Sequence, residues 1–178
     1  MGTRRRSRAL HKMEESPLAS RVIIVLATLA ATAARAQDFG ADWRTYANAR
    51  FGVSVDYPDV FSVRDPESAN GDGQVFRTPD GETKLAVYGS YNVNQQSASE
   101  LLQAYRTNGV NYTYSTAARD WFVLSGKKAG TIGYMRCNLG PADIVGCFDI
   151  EYPAQEAAKW APVVERLSRS LRVSPVNQ

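Results

Sequence analysis

Cys137 and Cys147, the two cysteines of the chain, constrain its fold more tightly than any other feature. Between them Asn138-Leu139-Gly140-Pro141-Ala142-Asp143 is turn material, and the flanking segments 131–136 and 144–152 carry the β-branched and aromatic residues of strands. A disulfide here closes a β-hairpin through the Gly140-Pro141 turn, with an expected Cα separation of about 4.4–6.8 Å. Antiparallel partners lie equidistant from the turn, so the register follows. Tyr134 faces Ile150, Ile132 faces Tyr152, Met135 faces Asp149 and Gly133 faces Glu151. Tyr134, Ile132, Ile150 and Tyr152 share the face opposite in parity to the cysteines. That face is expected to be the buried one, packed by a terminal helix through Trp160 and Leu167, with the core away from the bridge. A loop this short restricts the unfolded chain by roughly 2.5–3 kcal/mol. A redox or zinc role fits the pair poorly, because there is no C-x-x-C and two thiolates leave zinc under-coordinated.

A structural disulfide needs an oxidising compartment, and the N-terminus offers a route to one. Basic residues (Arg4, Arg5, Arg6, Arg8, Lys12, Arg21) precede an apolar run from Val22 to Ala34, and Ala34-Arg35-Ala36 precedes Gln37. That order is the n-region, h-region and A-x-A site of a secretory signal over residues 1–36, with Met13 as an alternative start. The run of about thirteen residues is short of the roughly 20 that span a bilayer, which argues against an uncleaved anchor. Arg4-Arg5 lies far from the apolar run and lacks the hydrophobic residues of a twin-arginine signal, so the general secretory route is expected. Residues 37–178 then form a single extracytoplasmic domain, periplasmic or secreted, with no membrane span after cleavage.

Removing that leader changes the charge. Residues 1–36 hold 7 of the 21 Lys and Arg and 2 of the 18 Asp and Glu, which leaves 14 basic against 16 acidic residues and a net charge of −2. No electrostatic reason then remains to expect nucleic acid or an anionic membrane as partner. The single histidine, His11, also lies in the leader. Histidine-based hydrolysis and His-ligated zinc are therefore excluded for residues 37–178, and an enzyme would have to use carboxylates, Lys, Tyr or Ser.

Along the rest of the chain, residues 51–58 alternate toward Tyr57-Pro58 and read as a half-buried strand, followed by a short strand at 60–64. Segments 74–78 and 83–91 flank Pro79-Asp80-Gly81-Glu82, a hairpin signal. Ser97-Ala98-Ser99-Glu100 is a capping box opening a helix over 97–108, stopped by Asn108-Gly109. Strands are expected at 110–114, 121–125, 131–136 and 144–152, then a helix over 154–172 that Pro162 should kink or restart. The tail 174–178 reads as frayed. Hairpins with helices set apart from them define an α+β domain, an antiparallel sheet with helices packed on it.

Tyr46-Ala47-Asn48-Ala49-Arg50-Phe51-Gly52 leading into a strand that ends at Tyr57-Pro58, with Glu151-Tyr152-Pro153 and a helix finishing Val164 to Leu171 at the other end, resembles the PsbP-like domain. The resemblance runs over most of residues 43–172 and implies a PsbP-like fold, one that serves accessory and binding roles. It carries no ligand or catalytic residue onto this chain. The expected function is a non-enzymatic accessory or binding domain with an unknown protein or envelope partner and no cofactor. The alternative is a carboxylate- or Ser/Lys-dependent hydrolase of the cell envelope.

Candidate chemistry is sparse. Asp65, Glu67, Asn70 and Asp72 crowd one loop, but no calcium-loop register fits them, and a solvated turn accounts for the composition. Asp149 and Glu151 share a strand face and could form an acid/base couple; a solvated edge or a cross-strand ion pair is the plainer account, although the hairpin register supplies no basic partner. Ser125-Gly126-Lys127-Lys128 lacks the first glycine of a phosphate loop and reads as a turn between strands. Asn111-Tyr112-Thr113 is a glycosylation sequon inside a strand-like segment. Tyr88, Tyr91, Tyr112 and Tyr114, at alternate strand positions, form the candidate binding face, and alternation sends about half of them into the core. No catalytic or metal-ligating residue is assigned.

Overall fold

The computed structural model of the chain describes residues 42–176. The proposed leader and His11 lie outside them. Ten strands form two antiparallel sheets. A three-stranded sheet holds β1 (Trp43–Ala47), β2 (Val53–Pro58) and β10 (Arg172–Val173) in the order β1-β2-β10. A seven-stranded sheet is made of β3 (Val63–Arg64), β4 (Gly73–Arg77), β5 (Lys84–Tyr91), β6 (Asn111–Ala117), β7 (Trp121–Lys128), β8 (Thr131–Leu139) and β9 (Ile144–Pro153), in the order β3-β4-β5-β9-β8-β7-β6. The α+β architecture, the hairpins and the positions of both helices follow the sequence expectation.

The cysteine hairpin has the expected register. Cys137 pairs with Cys147, Tyr134 with Ile150, Ile132 with Tyr152, Met135 with Asp149 and Gly133 with Glu151. The sulfurs are bonded, and the Cα atoms stand 4.1 Å apart, slightly below the expected window.

Helix α2 (Ala157–Ser170), entered through a single 3-10 turn at Ala154–Glu156, packs on β2, β8 and β9. Trp160 and Leu167 are buried against Phe148, Ile150 and Tyr152, with Ile132 and Tyr134 at the margin, so the expected face is the one this helix covers. Pro162 neither breaks nor restarts the helix. Its ring is on the exposed side, where water can satisfy the carbonyl that loses its partner.

The small sheet closes the same core. Gly89 and Gly146 are cross-strand partners on β5 and β9, and a Cβ on them would lie 2.4 Å from Phe51 Cβ and 2.5 Å from Val173 Cγ2 respectively. Absent side chains at these two positions let the small sheet approach the large one. Strands β1 and β10 escaped the sequence reading, because both are short and β10 sits where the helix was expected to end. The segment read as frayed is fastened at its start: Ser174 N–H donates to Gly52 O at 3.0 Å.

The opposite face of the large sheet is also covered, which corrects the expectation that the core lies away from the bridge. Helix α1 (Ala98–Ala104), shorter than the expected 97–108 and begun by the Ser97–Glu100 capping box, lays Ala98, Leu101 and Leu102 over Phe122, Leu124 and the two cysteines. Central strand β9 is therefore buried on both sides, which explains its nearly continuous apolar run.

A cleft opened by two glycines

Directly paired residues share a face of a sheet, so the α1 face can be read as rows running across five strands. Tyr88, Cys147, Cys137, Phe122 and Ala117 make the row beneath α1. Next come Ala86, Asp149, Met135, Leu124 and Ser115, and then Lys84, Glu151, Gly133, Gly126 and Tyr112. Because α1 spans two turns, it roofs the first row and reaches Leu124 of the second, leaving the rest open past its C-terminal end at Tyr105.

The third row has two adjacent positions with no side chain, and this opens a trough between Glu151 and Tyr112. At Gly133 an added Cβ would meet nothing within 4 Å, whereas at Gly126 it would lie 2.6 Å from Val110 Cγ1 and 2.8 Å from Asn111 O. Gly126 lets the 110–112 backbone close in, and Gly133 leaves the space. The result is a cleft of about 440 Å³ walled by Tyr105, Thr107 and Tyr112 on one side and by the Lys128-Ala129 turn on another, with Asp149 and Glu151 along the β9 side. Its far wall is braced: Thr107 N–H donates to Tyr112 Oη at 2.9 Å, and the Arg106 guanidinium lies 4.8 Å above the Tyr112 ring.

Its two carboxylates differ in environment. Glu151 Oε2 sits 2.9 Å from Lys84 Nζ on β5, so of the two plainer accounts the cross-strand ion pair holds for Glu151, with its partner from β5 and not β8, and the solvated edge does not, because β9 is central in the sheet. Asp149 has Ala86 and Met135 as its cross-strand neighbours and accepts no hydrogen bond from any described residue. Burial, then the charge of Glu151, pushes the Asp149 carboxyl up to about 6, with Lys84 opposing. Burial also pushes the Tyr88 phenol up, with smaller contributions from Tyr105 and Asp149.

The four tyrosines do not form one surface. Tyr88 is half-buried in the α1 core and Tyr112 walls the cleft. Tyr91, 53 % exposed, lies on the α2 face with its ring 5.1 Å from that of Phe51. A register shift between Tyr112 and Tyr114 turns Tyr114, 54 % exposed, to that second face as well. Ser125, Gly126, Lys127 and Lys128 belong to β7 itself, and the turn follows at Ala129-Gly130. In the acidic loop Asp65 is gripped by Arg77, and Asp72 accepts from Ser68 and Asn70. Among the described residues no group of three or more Asp, Glu, Cys or His could hold a metal ion, and no helix is long and apolar enough to cross a membrane.

The glycine pair, Lys84 and Tyr105 escaped the sequence reading as parts of a site. The pair had a legible signal, since Gly126 and Gly133 are equidistant from the Ala129-Gly130 turn. Lys84 depends on β5 lying beside β9, a long-range pairing with no local mark.

Neither a family model nor a curated protein matches the sequence. Solved structures do match the architecture. Cyanobacterial PsbP (CyanoP) from Synechocystis superimposes with a TM-score of 0.58 at 14 % identity, covering 76 % of this chain and 94 % of that one. The fold is PsbP-like. The Ran-binding protein Mog1p of Saccharomyces cerevisiae superimposes with a TM-score of 0.57 at 10 % identity over 76 % of this chain and 96 % of its own.

Proposed function

We propose that the chain is an exported, non-enzymatic binding module whose recognition site is the cleft on the α1 face. The observation that carries this reading is the trough at Gly126 and Gly133, a concavity built into the sheet and lined by aromatic, aliphatic and a few polar groups, as ligand sites are. A fold shared with a protein described as Ran-binding supports a protein partner. The hydrolase reading has less support: Glu151 is engaged by Lys84, so the cleft does not present two unencumbered carboxylates for acid/base work.

Export rests on residues 1–36 and on a disulfide that suits an oxidising compartment. Intact mass of the exported protein should begin at Gln37, and a mass that includes residues 1–36 would refute cleavage. The cleft is tested by capture from an envelope fraction, using the wild-type protein and Gly133→Leu in parallel. The partner should be retained by the first and lost by the second; equal retention would place recognition elsewhere.

A further inference from the structure

Resting on the cleft as the recognition site, we infer that its occupant presents a cationic group, an alkylammonium or a guanidinium on an apolar stem, which docks on Asp149. Three observations converge on this. Glu151 is already compensated by Lys84 at 2.9 Å, whereas Asp149, set between the roofed disulfide row and the open trough, has no hydrogen-bond donor among the described residues. Among the described residues no buried side-chain oxygen lacks a partner, so the Asp149 oxygens reach the open cleft, and an incoming cation would replace water there with a charge-assisted hydrogen bond. The route to Asp149 passes over Leu124, Met135 and the rings of Tyr105 and Tyr112, which suits a methylene stem behind a charged head. Lys128 is the cation lining the cleft; it stands exposed at the rim, at the end of β7, where water screens it.

Proton linkage follows from the same geometry. The charges acting on Asp149 are Glu151 on its own strand and Lys84 from β5, beside Tyr88 of β5, and the cleft it lines also holds Tyr105 from α1, Tyr112 from β6 and Lys128 from β7. Of these surroundings Asp149 itself is the group placed to change charge near pH 6. A cation requires the carboxylate form, so affinity should fall about ten-fold between pH 7 and pH 5.

The chemistry could come from a basic side chain of a partner polypeptide or from a free amine, and the probes separate them. The amide signals of Gly126 and Gly133 would be followed by NMR while the protein is titrated with N-acetyl-arginine amide, N-acetyl-lysine amide, cadaverine and the neutral control N-acetyl-norleucine amide. At least one cationic probe should shift these signals saturably at pH 7. That binding should be about ten-fold weaker at pH 5 and at least ten-fold weaker in Asp149→Asn, and Gly133→Leu should abolish it. Preference for the capped amino acids assigns the site to a side chain, and preference for cadaverine to a free amine; either supports a cation site. Equal binding of the neutral control, full binding by Asp149→Asn, or no binding by any cation overturns the inference. If Gly133→Leu still loses the captured envelope partner, the cleft reading survives that failure; if it keeps the partner, both fall.

Discussion

Lys84 reaches across the β5–β9 ladder to Glu151 at 2.9 Å, and no equivalent residue reaches Asp149 two positions earlier on the same face. Burial, then the charge of Glu151, sets Asp149 apart, while the lysine pairs with Glu151 and opposes the upward shift of Asp149. Lys84→Met should move the Asp149 midpoint above about 6. Stability should change by no more than about 1 kcal/mol, because both partners are partly exposed. Titration of the Asp149 side-chain carboxyl by NMR reads the shift, and a midpoint that stays or falls would contradict the assigned role of Lys84.

Asp149 should make the protein less stable as pH rises through the weakly acidic range. Its folded pKa, about 6, lies above the usual carboxylate value near 4, so between those limits the folded state binds more protons than the unfolded chain. The destabilisation is absent below about pH 4, grows up to about pH 6 and is constant above. Asp149→Asn, which keeps the shape and removes the charge, should therefore raise stability at pH 7 by on the order of 1–2 kcal/mol and give little gain at pH 4. Urea midpoints of the two proteins across that range provide the measurement, and a gain independent of pH would refute it.

What the sequence disclosed depended on how local the signal was. The Cys137–Cys147 register, the Tyr134–Ile150 face and the Ser97–Glu100 cap were legible because turn chemistry and parity lie within one hairpin or one helical turn. Pairing of β5 with β9 was not, so Glu151 looked unpartnered and β9 looked like an edge. Tyr114 defeated the alternation argument for a similar reason, since a register shift between it and Tyr112 inverts its face without a Gly or Pro to announce it. Strand β10 is two residues long and exists because Val173 packs beside Gly140 and Gly146, contacts that only the assembled sheets create.

Gly126 and Gly133 are paired across β7 and β8, yet they should respond oppositely to substitution. At Gly133 there is open space, so Gly133→Val replaces a flexible strand residue by a good strand former and should raise stability by about 0.5–1 kcal/mol while filling the cleft. At Gly126 even one methyl meets Val110 and the Asn111 carbonyl inside contact distance, and Gly126→Ala should cost about 1–3 kcal/mol. Thermal unfolding of the two variants would show the contrast, and losses of equal size would mean that the trough is not open as described.

The turn that ends β7 offers a gain of a different kind. Ala129 and Gly130 both have positive φ, 48° and 83°, the pattern of a two-residue type I′ hairpin in which asparagine is favoured at the first position. Ala129 pays a Cβ penalty there. Ala129→Asn should raise stability by about 0.5–1 kcal/mol, and a calorimetric melting temperature at or below wild type would count against the turn assignment.

The disulfide and helix α1 should open together. Cys137 and Cys147 are fully buried, and what lies over them is the Ala98, Leu101 and Leu102 face of a seven-residue helix begun by the Ser97 cap. A thiolate reagent can reach the sulfurs only when α1 lifts, so reduction of the native protein should be limited by that local opening. Ser97 Oγ accepts from Glu100 N–H while Glu100 Oε2 accepts from Ser97 N–H, and Ser97→Ala removes one half of this reciprocal cap, at a cost of about 1 kcal/mol to the helix. An opening equilibrium raised by that amount should speed reduction by dithiothreitol about five-fold. Once reduced, the protein should remain folded but be less stable by roughly 2–3 kcal/mol, the closure entropy of so short a loop. Reduction kinetics of wild type and Ser97→Ala, followed by thiol alkylation and mass, distinguish the cases. Equal rates would show that the bridge is reached by a path that leaves α1 in place.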